Sequence, residues 1–282
     1  MTVPAGAMPL LTRKVASQLD ASVLGSVRVG FTSDGDAVSV LASMLEGAGA
    51  VIVPAGAAEV VVETGLEPLD LIPEALVSTT ARTAAAFGEV AIPVMACHRA
   101  RCVRLADRAM GRRLVQETLR LTNRRMPGTR VAVTGYGETA RSIAATVVAL
   151  GGTVGVIEPE AVEALTAVLD GHTLAWTSAD MVFACDGRQV AGTDVGAGAL
   201  LVDVDASCKP TGREVRPGVR EFGMGYVVQP RVTRSFEDSD LVLSVAALAL
   251  ERLVAERPGP GVIEVPPAID AAVAVLAAES AT

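Results

Sequence analysis

Short apolar runs alternate with longer amphipathic segments along most of the chain. Runs of about 4–8 apolar residues between glycine, proline or polar residues are typical of buried strands, and apolar residues three or four positions apart are typical of helices. In the first part of the chain this pattern predicts helices at residues 11–19, 37–45 and 71–87, and strands at residues 27–31, 50–53, 60–62 and 90–96.

The same alternation continues towards the C-terminus. It predicts helices at residues 104–125, 138–150, 160–169, 239–256 and 267–279, and strands at residues 130–134, 153–157, 173–176, 181–185, 200–204 and 225–228. Strands that alternate with helices are typical of a doubly wound parallel sheet, so the pattern predicts an α/β fold.

A glycine turn lies between the predicted strand at 130–134 and the helix that follows it. Gly135, Gly137 and Ala140 occupy the small-residue positions of the pattern G-x-G-x-x-(G/A). The first glycine permits a tight turn, the second leaves room for a pyrophosphate, and the helix N-terminus attracts its negative charge. The segment therefore predicts a Rossmann dinucleotide site, with cofactor contacts from Gly135, Tyr136, Gly137, Glu138, Thr139 and Ala140.

An acidic residue follows the second strand of this unit. Glu158 and Pro159 come directly after the apolar run 153–157. A carboxylate at this position accepts hydrogen bonds from the adenosine ribose and repels a 2′-phosphate, which favours NAD over NADP. Further along, Cys185, Asp186 and Gly187 end a buried run and either pass the nicotinamide ribose or form an ordinary turn.

These observations predict two domains and a tail. We expect an N-terminal α/β substrate domain at residues 1–106 and a C-terminal Rossmann domain with its linking helix at residues 107–256. A tail helix is expected within residues 257–282. The apolar helices at 239–256 and 267–279 suggest a homodimer, although burial within one chain explains them equally well.

Composition and charge exclude several classes of protein. The net charge is −8 and there is no basic block, so nucleic acid is not an expected partner. No apolar run reaches the length of a membrane span and no signal peptide is visible, so a cytoplasmic protein without membrane contact is expected. The four cysteines are scattered and there are two histidines, which argues against a disulfide framework or a metal site.

Four residues are candidates for acid–base chemistry, and each has a structural alternative. Asp205 and Lys209 follow a predicted strand and would hold an ammonium group or relay a proton, or form a solvated salt bridge. His98 ends a strand of the first domain and is either an acid–base group or a structural residue. Asp34 either faces a substrate or caps the following helix.

Several segments resemble the NAD domain of S-adenosylhomocysteine hydrolase. The resemblance is carried by Val131–Gly137, Leu150–Val154, Glu158–Glu160 and Asp170–Gly171, and its strong part covers about 45 residues. It implies a Rossmann domain that binds NAD. The hydrolase family's catalytic residues are replaced in this chain, where its histidine and threonine after the first strand correspond to the loop with Asp34, so hydrolysis of that substrate is not expected.

Two shorter families, dipicolinate synthase and the pyrrolysine-forming dehydrogenase, are more similar in length and plan. These resemblances imply an NAD-dependent oxidoreductase in biosynthesis, acting on an amino- or hydroxyl-bearing carbon of a small amino-acid-like or nucleoside-like metabolite. One alternative is an enzyme that retains NAD for transient oxidation in thioether cleavage, as the hydrolase family does. Another is a non-catalytic Rossmann protein that serves as a sensor or as a partner of another chain.

Overall fold

A computed structural model describes residues 9–32, 36–63, 72–79, 92–174, 178–185, 197–204, 212–230 and 236–280. The chain divides into two compact units. The first unit comprises Met1–Ala106 together with Arg234–Thr282, and the second comprises Asp107–Thr233. No helix in the described part of the chain is both long and apolar enough to cross a membrane.

Helices and strands follow one another along both units. In chain order they are α1 (Leu10–Ala16), α2 (Ala21–Leu24), β1 (Arg28–Phe31), α3 (Asp36–Gly47), β2 (Val51–Ile52), β3 (Val60–Glu63), β4 (Ala75–Ser78), β5 (Pro93–Ala96), α4 (Arg101–Thr122), β6 (Arg130–Thr134), α5 (Glu138–Ala149), β7 (Thr153–Ile157), α6 (Ala161–Leu169), β8 (Thr173–Leu174), β9 (Met181–Ala184), β10 (Leu200–Asp203), β11 (Glu214–Arg216), β12 (Val219–Phe222), β13 (Gly225–Val228), α7 (Phe236–Glu256), β14 (Gly261–Glu264) and α8 (Pro267–Ser280). Short 3-10 turns lie at Ala55–Ala57 and Cys97–Arg99.

The first unit is built on a six-stranded sheet in the order β2-β1-β3-β4-β5-β14. Every neighbouring pair in this sheet is parallel. Parallel sheets are covered on both faces, and β3 and β4 accordingly consist almost entirely of buried residues. The main core lies between this sheet and the helices α1, α3, α7 and α8.

The second unit is built on an eight-stranded sheet in the order β8-β7-β6-β9-β10-β13-β12-β11. The six strands from β8 to β13 are parallel, and β12 and β11 extend the sheet as an antiparallel ribbon. Counted within the unit, the parallel strands have the order 3-2-1-4-5-6, which is the order of dinucleotide-binding Rossmann domains. The expected α/β fold with two parallel-sheet units is thus confirmed.

A tertiary cap fixes the first turn of α4. The carboxylate of Asp270, in α8, accepts hydrogen bonds from the backbone N–H groups of Arg101 at 2.6 Å and Cys102 at 2.9 Å. The first turn of α4 carries no acidic residue of its own. Asp270 therefore supplies the negative charge that the positive end of a helix favours.

Three features differ from the sequence prediction. The helix expected at residues 71–87 is wrong where the chain forms β4, because Ala75–Ser78 is buried between β3 and β5. The strand β14 was not expected, since its alternating exposed and half-buried residues follow a proline-rich break. The ribbon of β11 and β12 was not expected either, because Glu214–Arg216 is fully exposed.

The position of α7 also differs from the expected domain division. The sequence pattern places residues 239–256 in the Rossmann domain, whereas α7 belongs to the first unit. Its apolar residues, including Val245, Leu250 and Leu253, are buried in the main core of that unit. Burial inside one chain explains this apolar helix, so α7 gives no support to a homodimer.

Helices α4 and α5 approach each other closely at Gly111. A Cβ atom at this position would lie 2.5 Å from the carbonyl oxygen of Thr139 and 2.6 Å from the Cβ of Ser142. Such distances are shorter than van der Waals contact, so any larger residue would push α4 away from α5. No turn adjoins Gly111 in the chain, and the close packing explains why glycine lies in the middle of a helix.

We expect Gly111→Ala to destabilise the second unit by about 1–3 kcal/mol, because overpacking outweighs the better helix propensity of alanine. Thermal and urea unfolding followed by circular dichroism measure the change. Gly47→Ala is the matched control, since Gly47 is also helical and an added Cβ there contacts nothing within 4 Å. A Gly111→Ala protein as stable as the Gly47→Ala protein would contradict the packing argument.

Candidate functional site

The glycine turn between β6 and α5 has the geometry of a phosphate-binding turn. Gly135 has φ of 74°, a conformation that glycine adopts without strain, and its N–H donates to the carbonyl of Ile157 at 3.0 Å. Gly137 is the N-cap of α5, with φ of −69° and ψ of −179°. Since this conformation suits any residue, backbone strain does not explain glycine at position 137.

The space beside Gly137 is open. A Cβ atom added there would contact nothing within 4 Å among the described residues. No side chain caps α5, so its first N–H groups have no partner of that kind. A helix N-terminus with these properties binds anions, and an absent Cβ lets a phosphate approach the backbone.

Side chains in the first turn of α5 have partners within the second unit. Glu138 forms an ion pair with Arg108 at 3.0 Å and a longer one with Arg141 at 3.8 Å. The hydroxyl of Thr139 donates to the carbonyl of Asp107 at 3.3 Å. These contacts leave the backbone N–H groups, rather than the side chains, as the groups available to a phosphate.

Tyr136 lies behind the turn and is almost completely buried, with 1% of its surface exposed. Its hydroxyl donates to Oδ2 of Asp170 at 3.0 Å, and Asp170 also pairs with Arg141 at 3.0 Å. Burial, and then the hydrogen bond to the Asp170 carboxylate, raise the pKa of the Tyr136 phenol. Tyr136 therefore acts as a neutral anchor that ties the turn to the end of α6.

Glu158 follows β7, directly beside the turn in the sheet order. Its Oε1 accepts a hydrogen bond from the backbone N–H of Glu160 at 2.8 Å, which fixes the start of α6. The side chain is half-buried, and Glu160 and Glu163 nearby are exposed. The result is a strongly acidic surface at the carboxyl end of β7.

Polar groups follow the neighbouring strands at the same edge. The N–H of Cys185, after β9, donates to the hydroxyl oxygen of Thr134, the last residue of β6, at 3.3 Å. Asp203, the last residue of β10, is 1% exposed and accepts a hydrogen bond from Nε2 of Gln229, after β13, at 2.7 Å. In parallel sheets ligands bind at this carboxyl edge, which makes these strand ends part of the candidate site.

Gln229 is a site residue that the sequence interpretation missed, although a signal for it exists. It follows the apolar strand 225–228, so the rule that polar residues after buried strands gather at one edge would have found it. Asp203 and Asp205 follow one another closely in the chain, and the structure describes only Asp203 of this pair.

The predicted site residues fall into three groups. The turn residues, Glu158, Pro159 and Cys185 lie along the carboxyl edge of the second sheet, where β7, β6 and β9 are adjacent. His98 lies in the first unit, after β5. The remaining candidates lie outside the described residues: Asp34, Asp186, Gly187, Asp205 and Lys209.

His98 lies near a buried polar cluster at the carboxyl edge of the first sheet. The cluster contains Glu63, whose carboxylate accepts a hydrogen bond from the Ser78 hydroxyl at 3.1 Å. Burial, and then the negative charges of Glu63 and Asp270, raise the pKa of the Cys97 thiol. Because the thiolate is the nucleophilic form, Cys97 is a packing residue rather than a nucleophile.

The ring of His172 contacts Tyr136 edge-on, with ring centroids 5.8 Å apart. Burial lowers the pKa of His172, and the negative charge of Asp170 raises it only in part. A histidine pKa that is lower in the folded than in the unfolded state means that protonation favours unfolding. The contribution of His172 to stability is therefore complete above its unfolded pKa of about 6.5 and falls as the pH drops below that value.

We expect Asp170→Asn to lower the pKa of His172 further, because the negative charge that opposes the effect of burial is removed. Heteronuclear NMR titration measures it, and His98→Gln assigns the signals because the chain has two histidines. Glu160→Gln serves as a control carboxylate on the same surface. An unchanged or raised pKa of His172 in Asp170→Asn would show that the charge of Asp170 does not act on this ring.

Similarity to known proteins is slight. No family model matches the chain, and no curated protein matches it. Among solved structures, a transhydrogenase from Sinorhizobium meliloti aligns with a TM-score of 0.45 and 16% identity, over 86% of this chain and 87% of that chain. A likeness of this degree carries no argument about family or activity, so the functional interpretation depends on the topology and the site geometry of the chain itself.

Proposed function

We propose that this chain is an NAD-dependent oxidoreductase. It acts on an amino- or hydroxyl-bearing carbon of a small amino-acid-like or nucleoside-like metabolite. The observation that carries the proposal is the open space at Gly137, at the uncapped N-terminus of α5, in a sheet of Rossmann strand order. The substrate class rests on the resemblance to amine- and alcohol-oxidising families.

A packing explanation for Gly137 is missing within the described residues. Gly111 is glycine because α5 is too close, and Gly135 is glycine because its φ is positive. Neither reason applies to Gly137, where a side chain would meet empty space and the backbone is ordinary. The remaining reason is a ligand that approaches the backbone, and a pyrophosphate matches the helix N-terminus in charge.

The acidic surface after β7 favours NAD over NADP. Glu158 keeps Oε2 available for a ribose hydroxyl while Oε1 fixes the turn. A 2′-phosphate at this point would face Glu158 and the exposed Glu160 and Glu163. Repulsion between like charges, together with the absence of an arginine from the residues between Glu158 and Glu163, disfavours NADP.

The nicotinamide end of the cofactor would lie along the strand ends of β9, β10 and β13. When bound, NAD supplies the carbon that accepts a hydride. The chain's own residues orient this end: Cys185 borders it, and Gln229 presents its amide while held by Asp203. Proton transfer is assigned to the candidates Lys209, Asp205, His98 and Asp34, of which we expect one to act as the base.

The proposal is tested by releasing any bound nucleotide from the purified protein and then titrating the stripped protein with NAD and NADP by calorimetry. NAD that is retained in stoichiometric amount would favour an internal redox cycle like that of the hydrolase family. Empty protein that binds NAD supports a dehydrogenase and justifies a substrate screen by NADH absorbance. Folded protein that binds neither nucleotide would refute both.

We expect Gly137→Ala to weaken NAD binding by about tenfold or more, because the Cβ occupies the space of the pyrophosphate. The melting temperature should change little, since the new atom contacts nothing in the protein. Gly56→Ala is the matched control, as an added Cβ there is equally free of contacts but lies in the first unit. Equal NAD affinity in the two variants would contradict the role of Gly137.

We expect Glu158→Gln to weaken NAD binding and to reduce the preference for NAD over NADP by about tenfold, which corresponds to about 1.4 kcal/mol. Glutamine retains an oxygen that accepts the N–H of Glu160, so the turn is kept and the charge alone is removed. Glu163→Gln controls for the general acidity of this surface. If Glu163→Gln changes the preference as much as Glu158→Gln, the effect is one of overall charge rather than of ribose recognition.

A further inference from the structure

The second unit contains a cavity of about 210 Å³ away from the glycine turn. Its walls include the side chains of Leu200, Val219 and Tyr226, and two arginines, Arg124 and Arg216, border it. Apolar walls with a few converging polar groups are typical of small-molecule sites. The volume is below the roughly 300–1,000 Å³ of sites for drug-sized ligands, so the cavity suits a small molecule and not a dinucleotide.

The cavity lies on a face of the second sheet rather than at its carboxyl edge. Leu200 of β10 is paired with Tyr226 of β13, and Val219 of β12 is paired with Val228, two residues after Tyr226. Paired residues and residues two apart point to the same face, so all these side chains share one face of the sheet. Thr122, the last residue of α4, borders the same space.

Both arginines are held by carbonyl groups rather than by carboxylates. Arg124 donates to the carbonyl oxygens of Asp180 at 3.0 Å and Gly198 at 2.8 Å, and Arg216 donates to the carbonyl of Thr122 at 2.8 Å. Neither forms an ion pair with a carboxylate among the described residues. The nearby carboxylate of Asp180 pairs instead with Arg130, at 2.9 Å.

This arrangement is unusual in a chain with a net charge of −8, where carboxylates outnumber basic groups. The carbonyl bonds explain why each arginine is held in place: Arg124 ties the residues before β9 and β10, and Arg216 satisfies the end of α4. They use three of the ten N–H donors that two guanidinium groups carry. The partial charge of about −0.5 at the end of α4 offsets only a fraction of the two positive charges.

We propose that this cavity binds a small organic carboxylate with an apolar body. The guanidinium groups of Arg124 and Arg216 bind the carboxylate, since the planar fork of arginine matches two carboxylate oxygens. Leu200, Val219 and the ring of Tyr226 contact the apolar body. The site is separate from the proposed NAD groove, so it serves an effector or a second ligand.

Benzoate is the probe, and benzamide and inorganic phosphate are its controls. Benzamide has the same ring without the charge, and phosphate has the charge without the ring. Calorimetric titration of the full chain should give a dissociation constant of about 1 mM or tighter for benzoate, and at least tenfold weaker binding of both controls. Benzoate binding should persist in the presence of saturating NAD, which separates this cavity from the cofactor groove.

Arg216→Gln should weaken benzoate binding by about tenfold or more, as the loss of a charge-assisted hydrogen bond predicts. Arg220→Gln is the matched control, because Arg220 is exposed on the adjacent strand and does not border the cavity. Circular dichroism confirms that both variants fold. Absence of benzoate binding, equal binding of benzamide, or equal losses in the two variants would overturn the proposal.

If Arg216→Gln fails to fold, Arg216→Lys gives the test. Lysine keeps the charge and a donor but lacks the planar fork, so benzoate binding should weaken while phosphate binding stays unchanged. Unchanged benzoate binding by this variant would overturn the assignment of Arg216. None of these outcomes depends on whether the chain oxidises a substrate.

Discussion

The parallel pairing of β6 with β7 on one side and β9 on the other is the constraint on which the second unit depends. It places three strand ends side by side, and it requires the chain after β6 to turn at once into α5. Only a residue that tolerates φ of 74° can begin that turn, which explains Gly135. Because the strand order reverses at β6, a crevice opens there, and the uncapped end of α5 faces into a region suited to an anion.

Much of this arrangement could be predicted from the sequence because its signals are local. The strand β6, the glycines and the amphipathic helix α5 lie within twenty consecutive residues, and Glu158 follows one strand later. Each feature has one physical cause that acts over a few residues: burial of an apolar run, positive φ or helix capping. Such causes leave a pattern that can be read without knowing what the chain contacts elsewhere.

Features that depend on distant contacts could not be predicted in the same way. The four residues of β4 look helical within their own segment, and only the neighbours β3 and β5 make them a strand. The cap of α4 comes from Asp270, more than 160 residues away in the chain. The grouping of α7 with the first unit follows from its contacts with α1, α3 and α8, and an apolar helix is compatible with either unit.

The side chains of the turn show why the motif indicates a cofactor class but no substrate. Tyr136, Glu138 and Thr139 occupy the unspecified positions of the glycine pattern, and each has a partner in the protein: Asp170, Arg108 and the carbonyl of Asp107 respectively. These three side chains thus stabilise the Rossmann unit, and the backbone of the turn is what meets a phosphate. Substrate choice must therefore depend on residues outside the motif. The buried pair of Asp203 and Gln229 is a clear example, because its two members come from strands 22 residues apart in sequence and become neighbours only when β10 pairs with β13.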